Sequence, residues 1–466
     1  MLARLPRVLV TAPRSGTGKT TVGCALMGAL AARGMRVLSC KCGPDYIDPT
    51  FHAQVGAVAH VNLDPFFQGE DLLRDILGHA GRGCDIACIE GAMGYYDGIS
   101  TTVQASAWDV ARITDAPAVL VLDGRGACAS LAAQVLGFVR LRQPSHIAGV
   151  ILNNTSSMLV KSVAPFIEGE CGVRVLGCLP HDEQALLPSR HLGLVCAQEV
   201  ADVEGRLRHL AALAQDNLDI DAIVGLAQAA PALERDGAWP PAPIIADGAK
   251  RPVVAVARDE AFSFYYSEEL EQLQALGAEL AFFSPLRDAG LPQGASGLIL
   301  GGGYPELHAR QLAQNSSMLG AVRAAVAAGM PTIAECGGFL YLHEWLEDAD
   351  GQAYPLVGAV RGRAAKTARQ GRFGYIELTA RDAGLLGPAG TTVRGHEFHR
   401  WDCEDPGCDL AAQKPCSARA WQAGHHSGSH YLGFPHLYLP SAPDVARRFV
   451  LACREWAGNH GEGAAC

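Results

Sequence analysis

The stretch Gly16-Thr17-Gly18-Lys19-Thr20-Thr21 constrains this chain more than any other. It follows an apolar run, Arg7-Val8-Leu9-Val10-Thr11, and precedes a run rich in Ala, Leu and Met from Val22 to Ala32. Strand, glycine-rich turn and helix in that order leave backbone N–H groups pointing outward at a helix N-terminus. A polyphosphate suits that end, with Lys19 reaching the β- and γ-oxygens and the Thr20 hydroxyl on Mg²⁺. The predicted ATP-binding residues are therefore Ser15, Gly16, Thr17, Gly18, Lys19, Thr20 and Thr21. The strict phosphate-loop pattern has glycine at position 13, where this chain has Pro13, so the loop is a variant.

At 466 residues the chain is too long for one ordinary core, and two or three domains are expected. No apolar run approaches the roughly 18 residues of a membrane helix, so no membrane partner is expected. The chain enters its first strand almost at once, without a charged segment followed by a long apolar one, which reads against export. Fifteen cysteines without framework spacing read as reduced thiols of a cytoplasmic protein. A net charge of −10 disfavours nucleic acid as a partner, and any polyanionic substrate must be met by a local basic patch.

In the N-terminal half a second strand, Arg36 to Lys41, leads into Cys42-Gly43-Pro44-Asp45-Tyr46-Ile47-Asp48-Pro49. Gly-Pro and Asp-Pro mark a loop at the carboxyl end of a strand, where open α/β sheets place ligands. Asp45 and Asp48, with Tyr46 between them, either hold Mg²⁺ or orient a substrate, or else cap backbone groups of a turn. A third strand, Asp85 to Ile89, ends in Glu90-Gly91-Ala92-Met93-Gly94-Tyr95-Tyr96-Asp97-Gly98. An acid at the tip of a buried strand that follows a phosphate loop commonly holds the nucleotide's metal. Ala116 to Asp123 and Ile147 to Asn153 are the fourth and fifth strands, and their alternation with helical stretches predicts a parallel, doubly wound α/β sheet.

Between Asp236 and Arg251, Pro240, Pro241 and Pro243 mark a linker, which predicts domains at 1–236 and 252–450 joined by 237–251. A second alternating pattern starts with the strand Pro252 to Ala257. Gly297 to Leu300 ends in Gly301-Gly302-Gly303, and Pro331 to Ala334 ends in Glu335-Cys336-Gly337-Gly338 before a helix near Phe339. Cys336 thus occupies a sharp strand-to-helix turn, the geometry that exposes a nucleophile, and the helix N-terminus favours its thiolate. The N–H groups of Gly302, Gly303 and Gly337 are candidate oxyanion donors. Spacing alone leaves the base open among His396, His399 and His436. Cys403, Cys408 and Cys416, followed by His425, His426 and His430, match no paired zinc spacing and read as a solvent-exposed insertion.

The phosphate loop, the Lys41-to-Pro49 segment, Asn62-Leu63-Asp64, Glu90-Gly91 with Gly94, and Arg190-His191-Leu192-Gly193-Leu194 together resemble the cobyrinate a,c-diamide synthase family. The resemblance runs from about residue 6 to about 450 and keeps the family's motif order. It implies two doubly wound parallel-sheet domains, one like dethiobiotin synthetase and one like a class I glutamine amidotransferase. It implies ATP with Mg²⁺, glutamine, and a corrinoid or related tetrapyrrole as partners; a homodimer is compatible with it. By the same resemblance Thr20, Asp45 and Glu90 surround the Mg²⁺, Asp48 and Asp97 face the carboxylate being activated, and Tyr46 lies beside the substrate. It selects His436 as the base of Cys336, because amidotransferases of this class carry theirs on a late strand. Many of them have an acid two residues later, where this chain has Tyr438, so the third member stays open. Gly395-His396-Glu397-Phe398-His399 is a family marker, for structure or substrate contact. The family's histidine after Asn153 is missing from Thr155 to Val160, so that loop's contacts do not carry over. Nickel-sirohydrochlorin and hydrogenobyrinate are alternative acceptors. A regulatory deviant-Walker ATPase with a retired amidotransferase domain would have lysine at position 14, where this chain has Arg14, and would have lost its nucleophile.

Overall fold

Seven parallel strands carry the phosphate loop in the computed structural model, which describes residues 2–185, 187, 189–190, 193–194, 200, 202–246, 248–367 and 372–460. His191 and Leu192 of the Arg190–Leu194 motif lie outside the described residues. The chain forms two compact units, Met1–Trp239 and Pro240–Cys466.

In the first unit the strands are β1 (Arg7–Thr11), β2 (Val37–Cys42), β3 (Ala59–Leu63), β4 (Ile86–Glu90), β5 (Ala118–Asp123), β6 (Ile147–Asn153) and β7 (Arg174–Leu179). Their order across the sheet is β3-β2-β4-β1-β5-β6-β7. Side chains alternate between faces along a strand, and here both faces are apolar, as parallel sheets require. Val8 and Val10 enter one core with Val22, Leu26 and Leu30 of helix α1 (Lys19–Ala32), while Leu9 enters the opposite core with Leu38 and Ile89. Because β1 lies between β4 and β5, its loop leaves the middle of the sheet. The carboxyl ends of β2 and β4 deliver Lys41 and Glu90 beside it, paired in register. Helix α1 starts at Lys19, three residues before the expected start, because Gly18 (φ 96°) ends the loop in the left-handed region and nothing in Lys19-Thr20-Thr21 opposes a helix. Asp64 caps the helix Pro65–Ala80 by accepting from the Phe66 N–H at 2.9 Å, a contribution of about 1 kcal/mol.

The second unit is built on β8 (Val253–Ala257), β9 (Glu279–Phe283), β10 (Ala295–Leu300), β11 (Thr332–Glu335), β12 (His425–His426) and β13 (His430–Gly433). The order is β9-β8-β10-β11-β13-β12, parallel except for the β12–β13 hairpin. Two further sheets that the sequence reading did not anticipate flank it, one antiparallel and one mixed. One runs Ala420–Ala423, Leu410–Gln413, Phe373–Ala380, Thr392–Phe398 and β14 (His436–Leu437); another joins Ala353–Pro355, His343–Glu347, Val360–Lys366 and Trp401–Cys403.

This corrects the reading of the Cys403–His430 stretch as an exposed insertion. Leu410 and Ala412 are fully buried in a shared core, and His430–Gly433 pairs with the strand that leads to Cys336. Cys408 and Cys416 face solvent, as do the strand residues Gln413, Ala420 and Gln422. The described cysteines are free thiols, and no described helix is long and apolar enough to cross a membrane.

Candidate functional sites

In the first unit, Lys19 Nζ folds back on its own loop, donating to Met93 O at 2.5 Å and Arg14 O at 3.2 Å. Asn153, at the end of β6, donates from Nδ2 to Thr17 O at 3.0 Å. A Cβ on Gly18 would lie 2.1 Å from that amide, so the loop's path requires glycine both for its backbone angle and for this contact. Ser15 is exposed, with its Oγ 3.5 Å from Met93 Sδ. Asp97 is also exposed and accepts from the Gly94 N–H at 3.0 Å, so the 93–97 turn forms a rim beside the loop. Tyr46 is half-buried.

Beneath the loop sits a cluster of charges. Thr20 Oγ1 is 2.5 Å from Glu90 Oε1 and 3.2 Å from Asp48 Oδ2. Lys41 Nζ donates to Asp48 Oδ2 and, at 2.9 Å, to Glu90 Oε1, and it lies 3.7 Å from Asp45 Oδ2. The other Glu90 oxygen accepts from His52 Nε2 at 2.8 Å, and His52 Nδ1 is 2.9 Å from Ser39 Oγ. Asp45 Oδ1 accepts from the N–H groups of Ile47 and Asp48, so the capping role left open for this loop is realised by Asp45.

Burial opposes the charge on Lys41, but Asp48, Glu90 and Asp45 outweigh it and hold the ammonium well above its usual range. Burial likewise opposes the Glu90 carboxylate, and Lys41, His52 and Thr20 together pull it well below the usual range. Asp48 is pushed up to about 7, by burial first and then by Asp45. Lys19 falls to about 8 through burial and the neighbouring Lys41.

Thr20, Asp45, Asp48 and Glu90 offer the oxygen donors that Mg²⁺ takes, with Lys41 Nζ among their carboxylates; among the described residues no three acids are arranged as a metal site. Lys41 and His52 were not singled out from sequence. The signal was there: a lysine inside the apolar run Val37-Leu-Ser-Cys-Lys-Cys needs a buried partner, and His52 follows Asp48 by one helical turn.

In the second unit, Cys336 stands between β11 and helix α2 (Gly337–Tyr341) with φ 47° and ψ −103°. Its N–H donates to Gly433 O at 2.9 Å, tying the turn to β13. A Cβ on Gly337 would lie 2.9 Å from Gly303 N, so two of the candidate oxyanion positions are in contact. A Cβ on Gly302 would lie 2.3 Å from His436 Cε1; bare backbone there makes room for the ring. Cys336 Sγ lies 3.8 Å from Phe398 O, Cys336 and Glu335 both act on His436, and His436 Nδ1 is 3.6 Å from Glu335 Oε2. Burial works against the imidazolium, but Cys336 and Glu335 outweigh it and raise His436 to about 10.

Of the other two histidines, His399 has its own partners and His396 lies beside His436. His399 donates from Nε2 to Glu397 at 2.9 Å, places Nδ1 2.5 Å from Trp401 O and stacks on Phe434 at 3.9 Å. His396 lies opposite His436 in register and is lowered to about 3, by burial and then by His436. Gly302→Ala should displace the His436 ring. Glutamine hydrolysis is expected to fall about 10²-fold or more, the scale of a misplaced catalytic group, while synthesis from free ammonia is unchanged; glutaminase and ammonia-dependent assays on one preparation check this.

Comparison with known proteins agrees with this division. The CobQ/CobB/MinD/ParA nucleotide-binding domain model matches residues 8–195, and the CobB/CobQ-like glutamine amidotransferase domain model matches 253–429. Cobyrinate a,c-diamide synthase of Caldanaerobacter subterraneus subsp. tengcongensis is 35% identical over 452 residues, covering 96% of this chain and 98% of the relative. Hydrogenobyrinate a,c-diamide synthase of Streptomyces coelicolor is 39% identical, covering 97% and 98%. Cobyrinate a,c-diamide synthase of Gloeobacter violaceus is 40% identical, covering 96% of each. With both domain types in this order and relatives aligned over almost their whole length, the chain belongs to the cobyrinate a,c-diamide synthase family.

Proposed function

We propose that this chain is an ATP- and glutamine-dependent ligase that converts the a and c carboxylates of cobyrinate to amides, a step of cobalamin biosynthesis. The observation that carries the reading is an intact Cys336–His436 pair at a nucleophile elbow, in a chain whose other unit holds an intact phosphate loop.

In the second unit the Cys336 thiolate attacks the glutamine side-chain carbonyl. The oxyanion faces the N–H groups near Gly302, Gly303 and Gly337, and protonated His436 gives its proton to the departing ammonia. Water then hydrolyses the thioester to glutamate. In the first unit a substrate carboxylate oxygen attacks the γ-phosphorus of ATP and ADP leaves, giving an acyl phosphate. Ammonia adds to that carbonyl and inorganic phosphate departs with the original carboxylate oxygen. Lys19 follows the γ-phosphate charge, and Asp48, Asp97 and Tyr46 present the carboxylate. Mg²⁺, held through Thr20, Asp45 and Glu90, would neutralise the phosphate oxygens. Phosphorylation is needed because a carboxylate has no leaving group that ammonia can displace.

Asp45→Asn is expected to raise the Mg²⁺ requirement. Asp48→Asn should instead disturb which carboxylate is amidated or stall the reaction at the monoamide. Tyr46→Ala should leave the Mg²⁺ requirement unchanged and stall the reaction at the monoamide. Magnesium titrations with product masses check all three.

The Streptomyces relative favours hydrogenobyrinate as a second acceptor. Offering cobyrinate, hydrogenobyrinate and nickel-sirohydrochlorin separately with ATP, Mg²⁺ and glutamine, then weighing the products, tests the assignment; amidation of nickel-sirohydrochlorin alone would overturn it. The retained Cys336 argues against a purely regulatory ATPase. Free thiols throughout the described residues support a cytoplasmic location.

A further inference from the structure

The strand Thr332-Ile333-Ala334-Glu335 is buried along its whole length, and Glu335, its one ionisable residue, is only 8% exposed. A carboxylate buried at that position is costly unless it is paired. Both of its oxygens go to the same two-residue strand. Oε1 accepts from the Leu437 N–H at 3.0 Å, and Oε2 lies 3.6 Å from His436 Nδ1. The position two residues after the base is occupied by Tyr438, whose hydroxyl donates to Glu268 Oε1 at 3.0 Å. An acid is thus supplied to the imidazole from the residue before the nucleophile instead of from the base's own strand.

We infer that Glu335 is the positioning residue of the glutaminase site: its carboxylate stands against the Nδ1 side of the His436 ring, leaving Nε2 for Cys336, while its other oxygen holds the strand that carries the ring. The inference rests on Cys336 and His436 being the glutaminase pair. Its backbone contact sets the height of the base's strand, and its charge sets the protonation of the ring. Among the described residues Cys336 and Glu335 raise His436, His396 interacts with it as a second imidazole, and Glu269 acts on it from helix Ser267–Ala275. Glu269 Oε1 accepts from the Leu439 N–H at 2.9 Å. Burial and then Glu335 push Glu269 well above the usual carboxylate range.

Glu335→Gln keeps an acceptor for Leu437 and removes the charge. Glutamine turnover is expected to fall about 10–100-fold. That is less than the ~10⁴-fold that disabling the orienting acid costs a serine–histidine pair, because a thiol ionises more readily than a hydroxyl. The sign of the pH effect is fixed. The reactive thiolate–imidazolium pair is lost as pH rises through the His436 value, and removing a carboxylate lowers that value. The alkaline limb of kcat/KM for glutamine should therefore move toward neutral pH by about one unit or more, while Glu335→Asp restores it in part and ammonia-dependent synthesis is unchanged.

In the parent protein, [¹⁵N]histidine NMR reads the ring directly. His436, assigned by loss of its signals in His436→Asn, should carry protons on both nitrogens at pH 8, which needs no folded Glu335 variant. A pH profile of Glu335→Gln that superimposes on the parent's, or a neutral His436 at pH 8, overturns the inference. Glutaminase surviving in Cys336→Ala would instead overturn the pair on which it rests.

Discussion

Cys336→Ala is expected to lose glutamine-dependent synthesis on the order of 10⁶-fold, the scale on which removal of a covalent nucleophile acts, and to keep synthesis from ammonium chloride at alkaline pH. Only glutamine hydrolysis needs a thiolate; the acyl phosphate is open to any ammonia that reaches it. Cys336 sits on a backbone of positive φ, its N–H bonded to Gly433, so alanine accepts the same main-chain contact and the turn survives. His436→Ala should show the same separation less severely, since an elbow thiol retains some thiolate without its base. His399→Ala should leave glutaminase largely intact, because His399 is tied to Glu397 and Trp401. Product mass with each nitrogen donor, across the three variants, checks the set. Loss of both activities in folded Cys336→Ala would place that residue in the synthetase chemistry.

Lys19→Ala is expected to reduce amidation from either nitrogen donor by 10²–10³-fold or more, about the effect of removing one preorganised donor from a developing negative charge. Glutamine hydrolysis assayed alone should be retained, since it belongs to the other unit. Among the described residues Lys19 donates to the loop carbonyls Met93 O and Arg14 O and makes no ion pair that its removal would break. The other buried cation of the cluster, Lys41, is committed to Asp48 and Glu90 and cannot substitute at the γ-phosphate without leaving them. ADP release with each donor, and thermal unfolding of the variant, check this. Undiminished ATP-dependent amide formation would remove the nucleotide from this loop.

The parts legible in the sequence were those written in local runs. Each parallel strand that was read is an apolar stretch that stops at a polar or glycine residue, and Ile147–Asn153 matches residue for residue. Strands near Lys41, Glu90 and Ala257 differ by only a residue or so at their starts, because strand ends depend on register with neighbours and not on composition. The phosphate loop and the Cys336 turn were legible for the same reason. Glu335, Lys41 and His52 were not, since their roles arise across strands: Lys41 meets Glu90 only because β2 and β4 pair in that register, and Glu335 meets His436 across about a hundred residues of sequence. The antiparallel strands between Val360 and Ala423 are short and broken by turns. There the local structure follows the alternating burial of Leu410-Ala411-Ala412-Gln413, a four-residue signal too short to mark a strand by itself.

The acyl phosphate is the central claim, and oxygen transfer tests it most directly. Macrocycle labelled with ¹⁸O in its a and c carboxylates would be converted with ATP, Mg²⁺ and glutamine, and the released phosphate weighed. One ¹⁸O delivered to inorganic phosphate for each amide formed, with ADP as the other product, is the expected result. Amide formation with unlabelled phosphate, or with the label in AMP, would contradict it.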